Sequence, residues 1–201
     1  MIIIVDYGMG NLGSVQNMFK RIGVKSQISG ELTQIEQAEK ILLPGVGSFD
    51  QAMKRISDSG LRDLLDKKAT QEKIPVLGIC LGMQLLTNSS EEGKLPGLGW
   101  INAKATRIPI TDGLKVPHMG WNLVKPCNQS KLTADLPAES RFYFVHTYAV
   151  HCESPDNAIL RTTHGVEFDA AIQHDNIYGV QFHPEKSHKF GMQLLKNFAS
   201  L

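Results

Sequence analysis

"IPVLGICLGMQLL", residues 74–86, runs from a short apolar segment through Gly78, Ile79, Cys80, Leu81 and Gly82 into a second apolar segment with helix-like spacing. A buried strand that turns sharply into a helix, with a cysteine at the corner, is the thiol form of the nucleophile elbow. The turn puts the corner residue in a strained backbone conformation, and the flanking glycines let neighbouring chain pass close by. The helix start behind Cys80 favours thiolate over thiol, and the Leu81 N–H points at any oxyanion formed there. The same turn also fits an inert buried cysteine, so the elbow by itself does not define an enzyme.

Upstream of the elbow, strand-like and helix-like patterns alternate. Ile2–Asp6, Val24–Ser29, Lys40–Leu43 and Ile74–Ile79 read as short buried strands, and Asn11–Ile22, Thr33–Gln37 and Phe49–Lys68 as helices. Such alternation predicts an α/β fold with a mostly parallel sheet flanked by helices. After Ser89, Trp100–Ile108, Trp121–Lys125, Phe142–Val150, Ala158–Thr163, Phe168–Gln173 and Ile177–Phe182 read as strands with few helices between them, so part of this half should be antiparallel. A last amphipathic helix is expected over Lys189–Leu201. No linker or internal repeat interrupts residues 1–201, which read as a single domain.

Three further stretches bear on chemistry. In "YGVQFHPEKS" Pro184 stops a strand-like run, and His183 and Glu185 stand at i and i+2. In extended chain such side chains share a side, so a carboxylate can hold the imidazole in one tautomer. Cys80, His183 and Glu185 then fill the roles of nucleophile, acid–base and orienter. In "LLPGVGSFD" Gly45 and Gly47 leave peptide N–H groups uncovered, and Val46 between them offers a second oxyanion donor. Gly8, Gly10 and Gly13 spell G-x-G-x-x-G after the first strand, with Glu31 near the position of a ribose-binding acid. Should the strand order begin 2-1-3, this glycine loop lies beside residues 44–47; it is expected to pack beneath them and to hold no nucleotide.

Composition narrows the partners. Hydrophobic residues are 42%, charged residues 20% and the net charge +1, so neither nucleic acid nor a polyanionic surface is expected. No apolar run approaches the ~20 residues of a membrane span, and no signal-peptide core is recognisable, so a cytoplasmic location is expected. Cys80, Cys127 and Cys152 lack CxxC spacing. His146 and His151, five apart in a strand-like run, should face opposite sides, and His118, His164, His174 and His188 show no ligand spacing; neither metal nor other cofactor is expected.

With "PGVGSF" at 44–49, "GICLGMQLL" at 78–86 and "HPEKS" at 183–187, the whole chain resembles the class I (triad) glutamine amidotransferases. Within them, "DYGMGNLGS" at 6–14, "PHMGWN" at 117–122 and "YFVHTY" at 143–148 resemble the branch that serves histidine biosynthesis. The resemblance implies a flavodoxin-like sheet and Cys80, His183 and Glu185 as catalytic residues. It also implies glutamine contacts from Gly47, Gly82 and Gln84, with the backbone around His146 and Thr147 nearby. The branch delivers ammonia to a separate (β/α)8-barrel cyclase, which forms imidazole glycerol phosphate and an aminoimidazole carboxamide nucleotide. Trp121, Tyr143 and Lys186 fall where the branch meets that partner, although two core aromatics and a solvated lysine would read alike. "TNSSEEGKLPG" at 87–97 is less apolar than the family pattern, and either Glu91 or Glu92 takes its acidic position at the glutamine pocket. Two other readings keep parts of this pattern: a glutaminase feeding a different acceptor such as a sugar, and a non-enzymatic cysteine sensor that leaves His183 and Glu185 without a role.

Overall fold

The computed structural model describes residues 1–110 and 113–201. Strands β1 (Ile2–Val5), β2 (Ser26–Ser29), β3 (Lys40–Leu43) and β4 (Val76–Ile79) alternate with helices α1 (Leu12–Arg21), α2 (Leu32–Glu36), α3 (Phe49–Asp58) and α4 (Leu61–Asp66). After α5 (Leu81–Leu85) come β5 (Ser89–Ser90), β6 (Ala103–Arg107), β7 (His118–Leu123), β8 (Lys125–Pro126), β9 (Arg141–His146) and β10 (Tyr148–Cys152). Strands β11 (Ala158–His164), β12 (Val166–His174) and β13 (Ile177–Val180) follow, and α6 (His188–Ala199) ends the chain.

The main sheet has the order β2-β1-β3-β4-β13-β12-β11-β8. Strands β2, β1, β3, β4 and β13 run parallel, and β12, β11 and β8 continue the sheet antiparallel. Every residue of β1 and β4 is buried, as a strand covered on both faces requires. Ile3, Val5, Ile41 and Leu43 meet Phe49, Ala52, Met53 and Ile56 of α3 on one face. Ile2, Ile4, Leu42 and Leu77 meet Val15 and Phe19 of α1 and Leu194, Leu195 and Phe198 of α6 on the other. A smaller sheet, β10-β6-β5, and the antiparallel pair β7-β9 stand outside the main one.

The elements differ from the sequence expectations where local pattern meets tertiary packing. Phe49–Lys68 is two helices and a π-helical turn at Lys67–Gln71, because Gly60 takes φ +74° and ends the first run. Phe142–Val150 is two strands: β9 pairs with β7 and β10 pairs with β6, with Thr147 at the change of partner. Strand β7 begins at His118 rather than Trp121, β6 begins at Ala103 rather than Trp100, and β4 begins at Val76 rather than Ile74.

Strand order 2-1-3 sets the loop after β1 beside the loop after β3. The Tyr7 hydroxyl donates to the Pro44 carbonyl, and a Cβ on Gly10 would stand 3.4 Å from Pro44 Cβ. The Arg55 guanidinium from α3 donates to the Gly8 carbonyl. The glycine loop is therefore packed against "PGVG", as its position in the strand order suggests.

Two alanine substitutions separate tight glycines from ordinary ones. A Cβ on Gly82 would overlap the Leu43 carbonyl oxygen, whereas one on Gly13, inside α1, meets nothing within 4 Å. In urea denaturation Gly82→Ala should cost about 3 kcal/mol, while Gly13→Ala should stabilise by ~0.5–1 kcal/mol through its helix preference.

Candidate active site

Strand β4 delivers Cys80 to the end of the sheet, and the backbone there is exceptional. Cys80 has φ 55° and ψ −111°, a conformation that L side chains rarely adopt. Its N–H donates to the Val180 carbonyl at 2.8 Å, extending the β4–β13 pairing up to the corner. Gly78 lies against the Gly82 carbonyl, so any side chain at 78 would stop the chain from doubling back. Helix α5 then starts at Leu81, whose N–H, at a first helical position, has no intrahelical acceptor.

Strand β13 ends beside β4 and carries His183 to the same place. His183 Nδ1 is 2.8 Å from Glu185 Oε1, and both side chains are almost wholly buried. That contact puts the Nδ1 proton toward the carboxylate and leaves Nε2 facing the cysteine side. Among the described residues, His183 Nε2 and Glu185 Oε2 are buried without a hydrogen-bond partner. Burial alone would push the imidazole down, but the neighbouring Cys80 sulfur and the Glu185 carboxylate outweigh it and hold its pKa up at about 9. The 3–10 turn after His183 is tied down by Ser187, whose hydroxyl donates to the His183 carbonyl at 2.6 Å and accepts from the Tyr143 N–H at 3.0 Å.

Cys80 and His183 open into a cavity of about 320 Å³, lined also by Val46, Gly47, Leu81, Gln84, Glu92, Pro117, Val145, His146, Thr147, Tyr148. Gly47 has φ +115°, which a side-chain-bearing residue would resist. A Cβ on Gly45 would stand 2.8 Å from Leu81 Cβ and 2.9 Å from Gly82 N, so the loop after β3 lies directly on the elbow. Of the expected residues, Gly82 is not on the cavity wall: its lack of a side chain serves the approach of α5 to β3. Gln84 is buried and donates through Nε2 to the Tyr148 carbonyl at 3.2 Å.

The structure also brings in residues that sequence patterns passed over. Glu92, not Glu91, faces the cavity, and its Oε2 accepts the Phe49 N–H at 2.9 Å; Glu91 turns away to accept the Arg107 N–H at 2.7 Å. Gln181 is fully buried, with Nε2 3.8 Å from Cys80 Sγ. His118 and His146 meet at 2.9 Å between ring nitrogens, and His118 stacks on His164 with centroids 4.1 Å apart. Burial pushes His146 down to about 3 and, with help from His164, His118 down to about 4, so both rings are neutral at pH 7. These rings bond to one another and do not aim lone pairs at a common point; among the described residues no group of three or more His, Cys, Asp or Glu could hold a metal ion.

Strand β7 presents Met119, Trp121 and Leu123 outward, at 62, 44 and 54% exposure, and pairs with β9, whose Val145 and His146 line the cavity. Trp121 pairs with Tyr143 across the β7–β9 ladder and stacks on His188, with centroids 5.5 Å apart. The Lys186 ammonium sits 5.7 Å from the Tyr143 ring centre. Trp121, Tyr143 and Lys186 are thus one contiguous patch. Chemically, a cysteine sulfur, an imidazole with an orienting carboxylate and uncovered peptide N–H groups around one cavity suit acyl transfer through a thioester.

Comparisons with known proteins bear on the family and the fold. The family model for glutamine amidotransferase class-I matches residues 3–200. Among curated relatives, imidazole glycerol phosphate synthase subunit HisH 2 of Methanococcus maripaludis is 56% identical over 198 residues, 98% of each chain. The protein of the same name in Pseudomonas aeruginosa is 50% identical over 201 residues, 100% of each chain. Among solved structures, a glutamine amidotransferase superposes with TM-score 0.77 at 16% identity over 100% of both chains. PurLQS from Thermotoga maritima gives TM-score 0.76 at 16% identity over 99% of this chain and 97% of the other. These distant structures carry the same α/β fold.

Independently of those likenesses, the histidines should separate in an NMR titration. The His183 ring signal should move with a midpoint near 9. Glu185→Gln should lower that midpoint, because burial then loses an opponent second only to the Cys80 sulfur. As the folded pKa exceeds the unfolded 6.5, this group's contribution to stability is complete below pH 6.5 and is lost as pH rises through about 9.

Proposed function

The chain belongs to the class-I glutamine amidotransferases, and from that premise we propose that it is the glutaminase subunit of an imidazole glycerol phosphate synthase. It hydrolyses glutamine to glutamate and passes the ammonia to a partner subunit for histidine biosynthesis. The observation that carries the chemistry is the Cys80 elbow facing an imidazole whose other nitrogen is held by Glu185 at 2.8 Å. The relatives' names favour this acceptor over a sugar-aminating one, and a sensor would leave the buried His183–Glu185 pair without a task.

In this mechanism the Cys80 thiolate attacks the carboxamide carbon of glutamine. The developing oxyanion is held by the Leu81 N–H and a peptide N–H of the 45–47 loop. As the tetrahedral intermediate collapses, the imidazolium of His183 gives its Nε2 proton to the departing ammonia, leaving a glutamyl thioester. The neutral ring then takes a proton from a water that attacks the thioester; glutamate leaves, and thiolate and imidazolium are restored. Glu92, the one carboxylate lining the cavity among the described residues, pairs with the α-ammonium of the substrate. Gln84 and the backbone at His146 and Thr147 complete the pocket.

The partner is a (β/α)8-barrel cyclase that covers the face of Trp121, Tyr143 and Lys186. An exposed apolar row on β7, the strand paired with the cavity-lining β9, supports that reading, since a covered site keeps ammonia from protonating in water. The Val46 peptide turns toward the oxyanion when the cyclase holds its nucleotide, so the isolated subunit is nearly idle. The enzyme works in the cytoplasm; no described helix is long and apolar enough to cross a membrane.

Glutamate release should be low for the purified chain and rise strongly with a histidine-pathway cyclase and its nucleotide ligand, with Cys80→Ser inactive throughout. A high rate that ignores the cyclase contradicts the proposed partner. Trp121→Ala should weaken the complex by ~30-fold or more in a binding titration, as loss of a buried aromatic anchor does.

A further inference from the structure

Gln181, the residue after β13, belongs to none of the roles above. Its backbone is fixed, since the Gln181 N–H donates to the Ala170 carbonyl at 2.9 Å, and its side chain is fully buried. The side-chain amide lies between two groups: Oε1 is 3.2 Å from Gln84 Nε2, and Nε2 is 3.8 Å from Cys80 Sγ.

Which end of that amide faces the sulfur follows from what lies further along. A backbone carbonyl can only accept. The Gln84 atom 3.2 Å from the Tyr148 carbonyl must therefore be nitrogen. That same nitrogen also faces Gln181, so the Gln181 atom opposite it must be oxygen, and the remaining amide end, at Cys80, must be the N–H donor. The Tyr148 carbonyl is held in turn from the other side. His146 Nδ1 lies 2.8 Å from it and must carry a proton; Nε2 of the neutral ring then accepts from His118 Nδ1 at 2.9 Å. His118 Nε2 accepts from Asn122 Nδ2 at 3.2 Å, and Asn122 Nδ2 also donates to the Thr163 carbonyl at 3.0 Å. Two backbone carbonyls, Thr163 at one end and Tyr148 in the middle, thus fix the direction of a hydrogen-bonded series in which every donor meets an acceptor, from β7 to the thiol.

We propose that Gln181 is a further catalytic residue, whose side-chain N–H donates to the Cys80 sulfur and stabilises its thiolate form. The proposal rests on Cys80 being the nucleophile. An amide is suited to this place because it cannot exchange a proton with the thiol, which leaves proton transfer to His183 alone. It also adds no charge to a cavity that must admit a neutral carboxamide. The other groups near the sulfur are His183 with Glu185 after β13, the buried Tyr7 hydroxyl after β1, the Val145 carbonyl of β9 at 3.9 Å from Sγ, and, on the cavity wall, neutral His146 on β9 and Glu92 after β5. None of them hydrogen-bonds to the Gln181 side chain.

The test is the pH dependence of alkylation by iodoacetamide, followed at the Cys80 peptide by mass spectrometry in the full chain. It needs neither glutamine nor cyclase. Gln181→Met, of similar volume, should move the inflection up by ~1 unit relative to the unaltered chain, the size expected from one hydrogen bond to a charged group. Gln181→Asn keeps an amide but withdraws it by one methylene, and should give a shift of the same sign should the Met variant fail to fold. His183→Gln serves as the reference for the triad. Wild-type inflections in Gln181→Met and Gln181→Asn, with His183→Gln shifted, would overturn the role of Gln181 and leave the triad standing. An inflection that ignores all three substitutions would overturn both.

Discussion

A single backbone conformation, φ 55° and ψ −111° at Cys80, governs the arrangement of everything around it. Such a residue costs of order 1–3 kcal/mol and persists only where its surroundings leave no alternative. Here the surroundings are backbone itself. Gly78 lies on the Gly82 carbonyl, Gly82 on the Leu43 carbonyl, and Gly45 on Leu81 and the Tyr7 hydroxyl. Three chain segments therefore touch where any side chain would separate them, and the contact that strains Cys80 also sets the 45–47 loop beside its thiol.

The sheet makes this contact rigid. Parallel strands buried on both faces place the ends of β1, β3, β4 and β13 side by side, so four loops that are distant in sequence meet at one edge. The outer strands form the opposite wall. Strand β9 and the Thr147 break bring Val145, His146 and Tyr148 across from the elbow, and β7 pairs with β9 on its outer side. Within one cavity the environment drives histidines in opposite directions. His183, beside a carboxylate and a thiol, is held up at about 9, whereas burial drives His146 down to about 3. One is equipped to carry a proton and the other to keep a fixed tautomer.

Much of this was legible in the sequence, because the signals are local. The G-x-C-x-G corner, the His-Pro-Glu step and the strand–helix alternation of the first half each depend on neighbours in the chain. The parts that were not legible depend on distant partners. Phe142–Val150 reads as one strand because Thr147 is itself β-branched, and only pairing with two different strands reveals the break. Glu91 and Glu92 are indistinguishable until one meets Arg107 and the other Phe49. His118, His146 and His164 have no common spacing, yet strand pairing stacks them together. Gln181 sits unmarked in an apolar run, and its importance comes from Gln84 and Cys80, each about 100 residues away.

The account stands on Cys80 being a nucleophile shaped for glutamine. The most direct measurement is covalent labelling by an electrophilic glutamine analogue, with the labelled cysteine identified by mass spectrometry. The structure predicts a single adduct on Cys80, none on the exposed Cys127 or on Cys152, and protection by added glutamine. Labelling of Cys127 at a comparable rate, or labelling of Cys80 that glutamine does not slow, would contradict it.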